Sequence, residues 1–119
     1  MAIDNIRQLA GLDVDQGLKN CMEDEELYLS ILDMYVEQLK GNILELAQLK
    51  ASQDWSTYGK TCHSIKGASA SVGAVTIQSQ SATLEAAGKN LNADTIEQGH
   101  QEFCTLLQST IDSIATATN

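Results

Sequence analysis

The sequence contains no proline, and it has only one tryptophan and one phenylalanine among its 119 residues. Proline costs roughly 3 kcal/mol in a helix interior, so its absence leaves long helices possible along the whole chain. Aromatic residues, which strands favour, are scarce. With 43% hydrophobic residues and this length, the chain is expected to form one all-α domain.

Cysteines and basic residues are also few. Cys21, Cys62 and Cys104 are widely spaced and form no C-x-x-C pair, so neither a disulfide framework nor a structural zinc site is expected. The formal net charge of −9 argues against nucleic-acid binding, because phosphate contacts require lysine and arginine. The sequence lacks both a signal-peptide pattern and the run of roughly 18 apolar residues that a membrane span needs. We therefore expect a cytoplasmic protein that binds no nucleic acid and does not insert into a membrane.

Apolar residues recur at three- and four-residue steps in five segments, which predicts five helices and no strand. The predicted helices run from about 13 to 21, from 24 to 51, from 54 to a turn at 71–73, from 74 to between 88 and 92, and from 94 to 115. Short connections favour an antiparallel up-and-down four-helix bundle with an additional short N-terminal helix. We expect a single domain over 1–119 with its core at about 10–115, and we expect the tail after Ile114 to fray.

One histidine in the third long segment does not fit the packing of its helix. At about 100° per residue, the apolar side chains cluster within about 50° of a common direction, and His63 points roughly 130° away from it. His63 is therefore predicted to lie on the solvent side. The residues that share the inner face are Trp55, Tyr58, Cys62, Ile65, Ser69 and Val72. Ser69 on this inner side is expected to pack or to form a hydrogen bond.

Small residues surround this histidine. Gly59 and Gly67 lie one turn to either side of it, and Ser56 and Ala70 lie two turns away on the same face. A glycine within a helix costs roughly 0.5–1 kcal/mol relative to alanine, so two of them suggest a purpose beyond stability. We interpret the patch as a cleared surface on which another protein can dock.

Two lysines flank the same position. Lys60 and Lys66 lie three residues before and after His63, in a chain that is otherwise strongly acidic. A positive spot around an exposed imidazole suits a transient dianionic group. From the residues alone, an incidental surface histidine remains an alternative interpretation.

The segment that begins at His63 resembles a known signature. It reads H-S-I-K-G-A-S-A-S-V-G-A, and the signature of histidine-containing phosphotransfer (HPt) domains has the core H-x-x-K-G-x-S/A-x-x-x-G. The later run L-E-A-A-G at 84–88 is similar to the family's L-E-x-x-A/G run in the following helix. The opening stretches at 12–18 and 24–28 also look like those of the family, so the resemblance covers about residues 10 to 115.

The resemblance implies a carrier in a multistep two-component phosphorelay, phosphorylated on His63, rather than an enzyme. It further implies that Lys66 offsets the charge of the phosphoryl group, that Gly67 keeps the site accessible, and that Glu85 can hydrogen-bond the imidazole from the neighbouring helix. Lys60 belongs to the same environment. The expected partners are receiver domains of response regulators and a hybrid sensor kinase, with the catalytic Mg²⁺ and the acceptor aspartate on the receiver domain. The chain itself is expected to hold no cofactor or metal and to be a monomer.

Two other classes of function remain open at this point. An enzyme that uses His63 as a general base or metal ligand would need further ligands or carboxylates around it, and only Glu85 is a candidate. His100, the second histidine, is expected to be structural. A helical protein-interaction module without phosphotransfer is the other alternative, and the presence of His63 argues against it. The initial methionine and the compact length favour a free-standing protein over an excised domain of a hybrid kinase.

Overall fold

The computed structural model describes residues 2–118, and within this range all regular elements are helices. There are six of them: α1 (Ala2–Ile6), α2 (Val14–Asn20), α3 (Glu25–Ala51), α4 (Trp55–Val72), α5 (Val75–Lys89) and α6 (Ala93–Thr118). The four long helices, α3 to α6, follow one another through very short connections and form the predicted all-α bundle. None of the helices in 2–118 is both long enough and apolar enough to cross a membrane.

Aspartates fix the starts of three helices. The side chains of Asp13, Asp24 and Asp54 each accept a hydrogen bond from the backbone N–H three residues later, at 3.1, 3.1 and 3.2 Å. Such caps satisfy backbone donors that have no partner inside the helix. The starts of α2, α3 and α4 lie where the sequence placed them.

A glycine ends α4. Gly73 has φ +84°, and a Cβ at this position would lie 2.1 Å from the Asp13 carbonyl oxygen. A left-handed residue of this kind closes a helix and reverses the chain. It brings α5 back along α4, so residues in the middle of the two helices face each other.

The bundle core is built from the apolar faces of all four long helices. The fully buried large side chains include Tyr28, Leu32, Leu39, Leu46, Tyr58, Ile65, Ile77, Ile96, Phe103 and Leu107. Leu27 is 38% exposed, whereas its neighbour Tyr28 is fully buried and takes the core position at the start of α3. The Tyr28 hydroxyl donates to the Val72 carbonyl at 2.8 Å, which ties α3 to the end of α4.

Two predictions at the chain ends are wrong, and for the same reason. The sequence predicted one short N-terminal helix, but α1 precedes α2. The tail after Ile114 was expected to fray, but α6 continues to Thr118. Ile3 and Ile6 of α1 are buried, as is Ala117 of α6, and the Asn5 side chain donates to the Ala117 carbonyl at 3.3 Å. Each end is ordered by packing against the other, and a local pattern cannot reveal such a contact. Residues 1 and 119 of the predicted domain lie outside the described range.

Candidate functional site

Helix α4 presents two different faces. Tyr58, Cys62, Ile65 and Val72 are buried in the core, whereas the His63 side chain is 68% exposed. The helical wheel is confirmed here, because the histidine lies outside the core as predicted. The packing of α4 against its neighbours therefore fixes where the imidazole lies.

Ser69 lies on the inner face of α4, as predicted. It is fully buried, and a hydrogen bond of 2.6 Å joins its hydroxyl to that of Tyr35 on α3. A buried hydroxyl without a partner would cost free energy, so the pair supports the α3–α4 contact. Ser69 thus contributes packing and a hydrogen bond below the histidine.

Glu85 of α5 lies directly opposite His63. Its carboxylate oxygen Oε2 accepts a hydrogen bond from His63 Nδ1 at 2.7 Å, although Glu85 is only 4% exposed. An Nδ1–H that donates to this carboxylate leaves the lone pair of a neutral imidazole on Nε2. Glu85 thereby selects the nitrogen that remains free.

Two lysines balance the charge of this buried carboxylate. Lys66 Nζ lies 2.5 Å from Oε1 of Glu85, and Lys89 Nζ lies 3.3 Å from Oε2. A buried carboxylate is costly unless it is paired and hydrogen-bonded, and here both oxygens are engaged. The hydrogen bond from Lys66 lowers the pKa of Glu85 to about 2, with smaller contributions from His63 and Lys89, while burial acts in the opposite direction. Glu85 is therefore ionised at neutral pH.

The two glycines beside His63 have different surroundings. A Cβ at Gly67 would meet nothing within 4 Å, so the open surface predicted on this side is present. Gly59 is buried, and a Cβ there would lie 3.1 Å from Gly88 Cα and 3.2 Å from the Glu85 carbonyl oxygen. The prediction that Gly59 is exposed is therefore wrong, and its part in partner docking stays a prediction. Its lack of a side chain lets α5 approach α4 closely enough for Glu85 to reach His63.

The remaining predicted residues lie around this centre. A groove of about 310 Å³ between α4 and α5 is lined by Ser56, Gly59, Lys60, His63, Glu85 and Lys89. Ser56 and Lys60 are exposed along it, and Gly59 contributes to it through its backbone. Ala70 is partly buried on the other side of His63, and its carbonyl accepts from the Asn20 side chain at 3.3 Å.

Lys89 was missed by the sequence analysis. Its position four residues after Glu85, one helical turn away, is the spacing of an intrahelical ion pair and was the available signal. That spacing is common on helix surfaces and identifies a site only when the glutamate is known to face a histidine.

The second histidine and the cysteines lie on other parts of the bundle. A hydrogen bond of 2.8 Å joins His100 Nδ1 to the hydroxyl of buried Tyr58, which supports the structural role expected for His100. Cys62 is fully buried as predicted, and Cys104 is partly buried. The free thiols of Cys21, Cys62 and Cys104 form no part of the His63 site.

Comparison with known proteins gives one family. The model of the Hpt domain matches residues 30–117, which is most of the chain and includes α4, α5, most of α3 and nearly all of α6. The searches of curated proteins and of solved structures gave no significant match. The matched range holds His63, Glu85 and both lysines of the site. The chain therefore belongs to the Hpt-domain family, whose members carry phosphoryl groups on histidine in phosphorelays and interact with receiver domains and kinases.

Proposed function

We propose that His63 Nε2 accepts a phosphoryl group from the phosphorylated aspartate of one receiver domain and passes it to the aspartate of another. The observation that carries this proposal is the pairing of an exposed imidazole with a buried carboxylate at Nδ1. A nitrogen nucleophile is thus held on the surface in a defined tautomer, with its lone pair directed away from Glu85. The rest of the bundle serves as a rigid support.

The phosphoryl-transfer step does not require any group to accept a proton. The lone pair of Nε2 forms a bond to phosphorus while the P–O bond of the aspartyl phosphate breaks, and the aspartate leaves as a carboxylate. The imidazole keeps its Nδ1 proton and becomes positively charged, so Glu85 gains a stronger hydrogen bond. Transfer to the next aspartate is the same step in reverse.

We propose that the partner receiver domain supplies the remaining parts of the active site. Phosphoryl transfer requires concentrated positive charge and an aligned acceptor, and Mg²⁺ with an aspartate on the receiver would provide both. This chain contributes the histidine, with Lys66 and Lys60 as local positive charge. In this proposal the chain is a monomer that docks on the receiver domain through the open surface at Gly67 and the groove at Ser56. A hybrid sensor kinase would act earlier in the relay.

One experiment separates this function from its alternatives. The chain is incubated with a receiver domain phosphorylated on its aspartate, and acid-labile, alkali-stable phosphate on the chain is measured over time. Phosphohistidine at position 63 supports the proposal. Stable binding of the receiver without transfer would instead support a helical interaction module and would overturn the proposal.

A further inference from the structure

The two lysines on Glu85 are held in unequal ways. Lys66 makes a bond of 2.5 Å to Oε1, which has no other ion-pair partner within residues 2–118, and its side chain is only 34% exposed. Lys89 makes a longer contact of 3.3 Å to Oε2, which also accepts from His63, and its side chain is 73% exposed. Lys66 is therefore the firmly bound cation and Lys89 the one that can leave.

Phosphorylation of His63 changes the strength of the contacts that Glu85 Oε2 makes. When Nε2 takes the phosphoryl group, the imidazole becomes positive and binds Oε2 more strongly through Nδ1–H. At the same time a dianionic group appears on the far side of the ring. Phosphorylation therefore weakens the ion pair between Glu85 and Lys89. The phosphoryl group becomes a new anionic partner for the Lys89 ammonium.

Lys89 also lies close to His63, because both side chains contact Glu85 Oε2. It lines the groove between α4 and α5 together with His63 and Lys60, and Lys66 is not part of this lining. The close approach of Gly59 and Gly88 leaves no side chain between the two helices at this level. A lysine stem has the length and rotamer freedom to move within such a groove.

We propose that Lys89 is the transferable cation of the site: it leaves Glu85 Oε2 and pairs with the phosphoryl group when His63 is phosphorylated. Lys66 remains on Oε1 and acts through Glu85, holding the carboxylate that orients the imidazole. This inference rests on the proposed function, because it assigns a contact to the phosphorylated state.

The test uses a double-mutant cycle with phosphoramidate as the phosphodonor, so no partner protein is needed. His63 attacks phosphorus, the N–P bond of phosphoramidate breaks and ammonia leaves. The rate of phosphohistidine formation is followed by ³¹P NMR in Lys89→Gln, Lys66→Gln and Lys60→Gln, each made in the wild-type and Glu85→Gln backgrounds. We expect Lys89→Gln to slow phosphorylation about fivefold in both backgrounds, the size of an exposed charge pair. The effect of Lys66→Gln should largely disappear once Glu85 is neutral.

A second measurement does not depend on rate. The ³¹P titration midpoint of the phosphorylated protein should move to higher pH in Lys89→Gln and recover in Lys89→Arg, because a neighbouring cation favours the dianion. The charged groups around His63 are Lys60 and Lys89 in the groove, Glu85 on Nδ1 and Lys66 on Glu85, and each has its variant in the cycle. Loss of the Lys89→Gln effect in the Glu85→Gln background, or an unchanged midpoint, would overturn the inference. Failure of wild-type His63 to take any phosphate would instead refute the proposed function.

Discussion

Gly59 on α4 and Gly88 on α5 meet backbone to backbone, and a Cβ added at Gly88 would lie 2.5 Å from Gly59 Cα. This contact lies one turn before His63 on α4 and one turn after Glu85 on α5. The distance between the two helices at this level therefore determines whether the carboxylate reaches the imidazole. The glycine pair acts on the site although neither residue has a functional group.

Gly88→Ala should destabilise the protein and weaken phosphotransfer together. The added methyl group forces α4 and α5 apart, and overpacking of this kind costs roughly 1–3 kcal/mol. Urea unfolding measures the stability, and the rate of phosphohistidine formation measures the effect on the site. The matched control is Gly67→Ala, where the methyl group meets nothing and should add up to about 1 kcal/mol of stability. Equal stability of Gly88→Ala and wild type would show that the helices do not need this close contact.

His63→Gln should fold as the wild type does and accept no phosphate. The side chain is 68% exposed, so its replacement removes little packing, and glutamine cannot form the nitrogen–phosphorus bond. Circular dichroism checks the fold, and acid-labile phosphate checks the chemistry. His100→Gln is the control and should retain transfer. Phosphate that persisted in His63→Gln would move the site elsewhere.

The sequence predicted the central part of this site because it depends on two simple periodicities. The helical wheel of α4 separates His63 from Cys62 and Ser69, and these residues lie as it requires. Counting outward from the turn near Val72 puts residues 81 to 85 opposite His63, because two antiparallel helices with a short connection keep their register, and Glu85 lies in that range. Both arguments use only local geometry.

Features that depend on contacts between helices could not be predicted in the same way. Gly59 and Gly67 each lie four residues from His63 in the sequence, but Gly59 faces Gly88 and Gly67 faces solvent. Helix α1 has only two buried residues, Ile3 and Ile6, and it exists because the end of α6 covers them. In each case the deciding partner lies far away along the chain.

Gly67→Gln should slow transfer to and from a receiver domain while leaving the fold intact. A long side chain at the open position one turn from His63 would lie across the surface on which a partner must approach. Glycine is the poorer helix former, so helicity should be unchanged or higher. Single-turnover transfer is compared with that of Gly67→Ala, which gains the same helix propensity without the bulk. Equal rates for the two variants would make the open surface incidental.

Lys66 makes the stability of the protein depend on pH through its contact with Glu85. The hydrogen bond from Lys66 is the main cause of the lowered pKa of Glu85, about 2 against an ordinary 4.5, and burial opposes it. A carboxylate with a depressed folded-state pKa contributes stability that is present above its ordinary pKa. That contribution is lost as the pH falls towards 2. Lys66→Ala removes the largest favourable contact and leaves burial in place, so the pKa of Glu85 should rise.

Carbon-detected NMR titration of the Glu85 carboxyl group measures this change directly, and urea unfolding at pH 6 and pH 3 measures its consequence. Lys66→Ala should lose less stability than wild type between these two pH values, because its ion pair is already absent at pH 6. Lys60→Ala removes the same charge from the same helix without touching Glu85, and it should titrate as the wild type does. If Lys60→Ala raised the pKa of Glu85 as much as Lys66→Ala does, the general positive charge around His63 would be what keeps the carboxylate ionised. The direct Lys66–Glu85 bond would then have no special part in holding it.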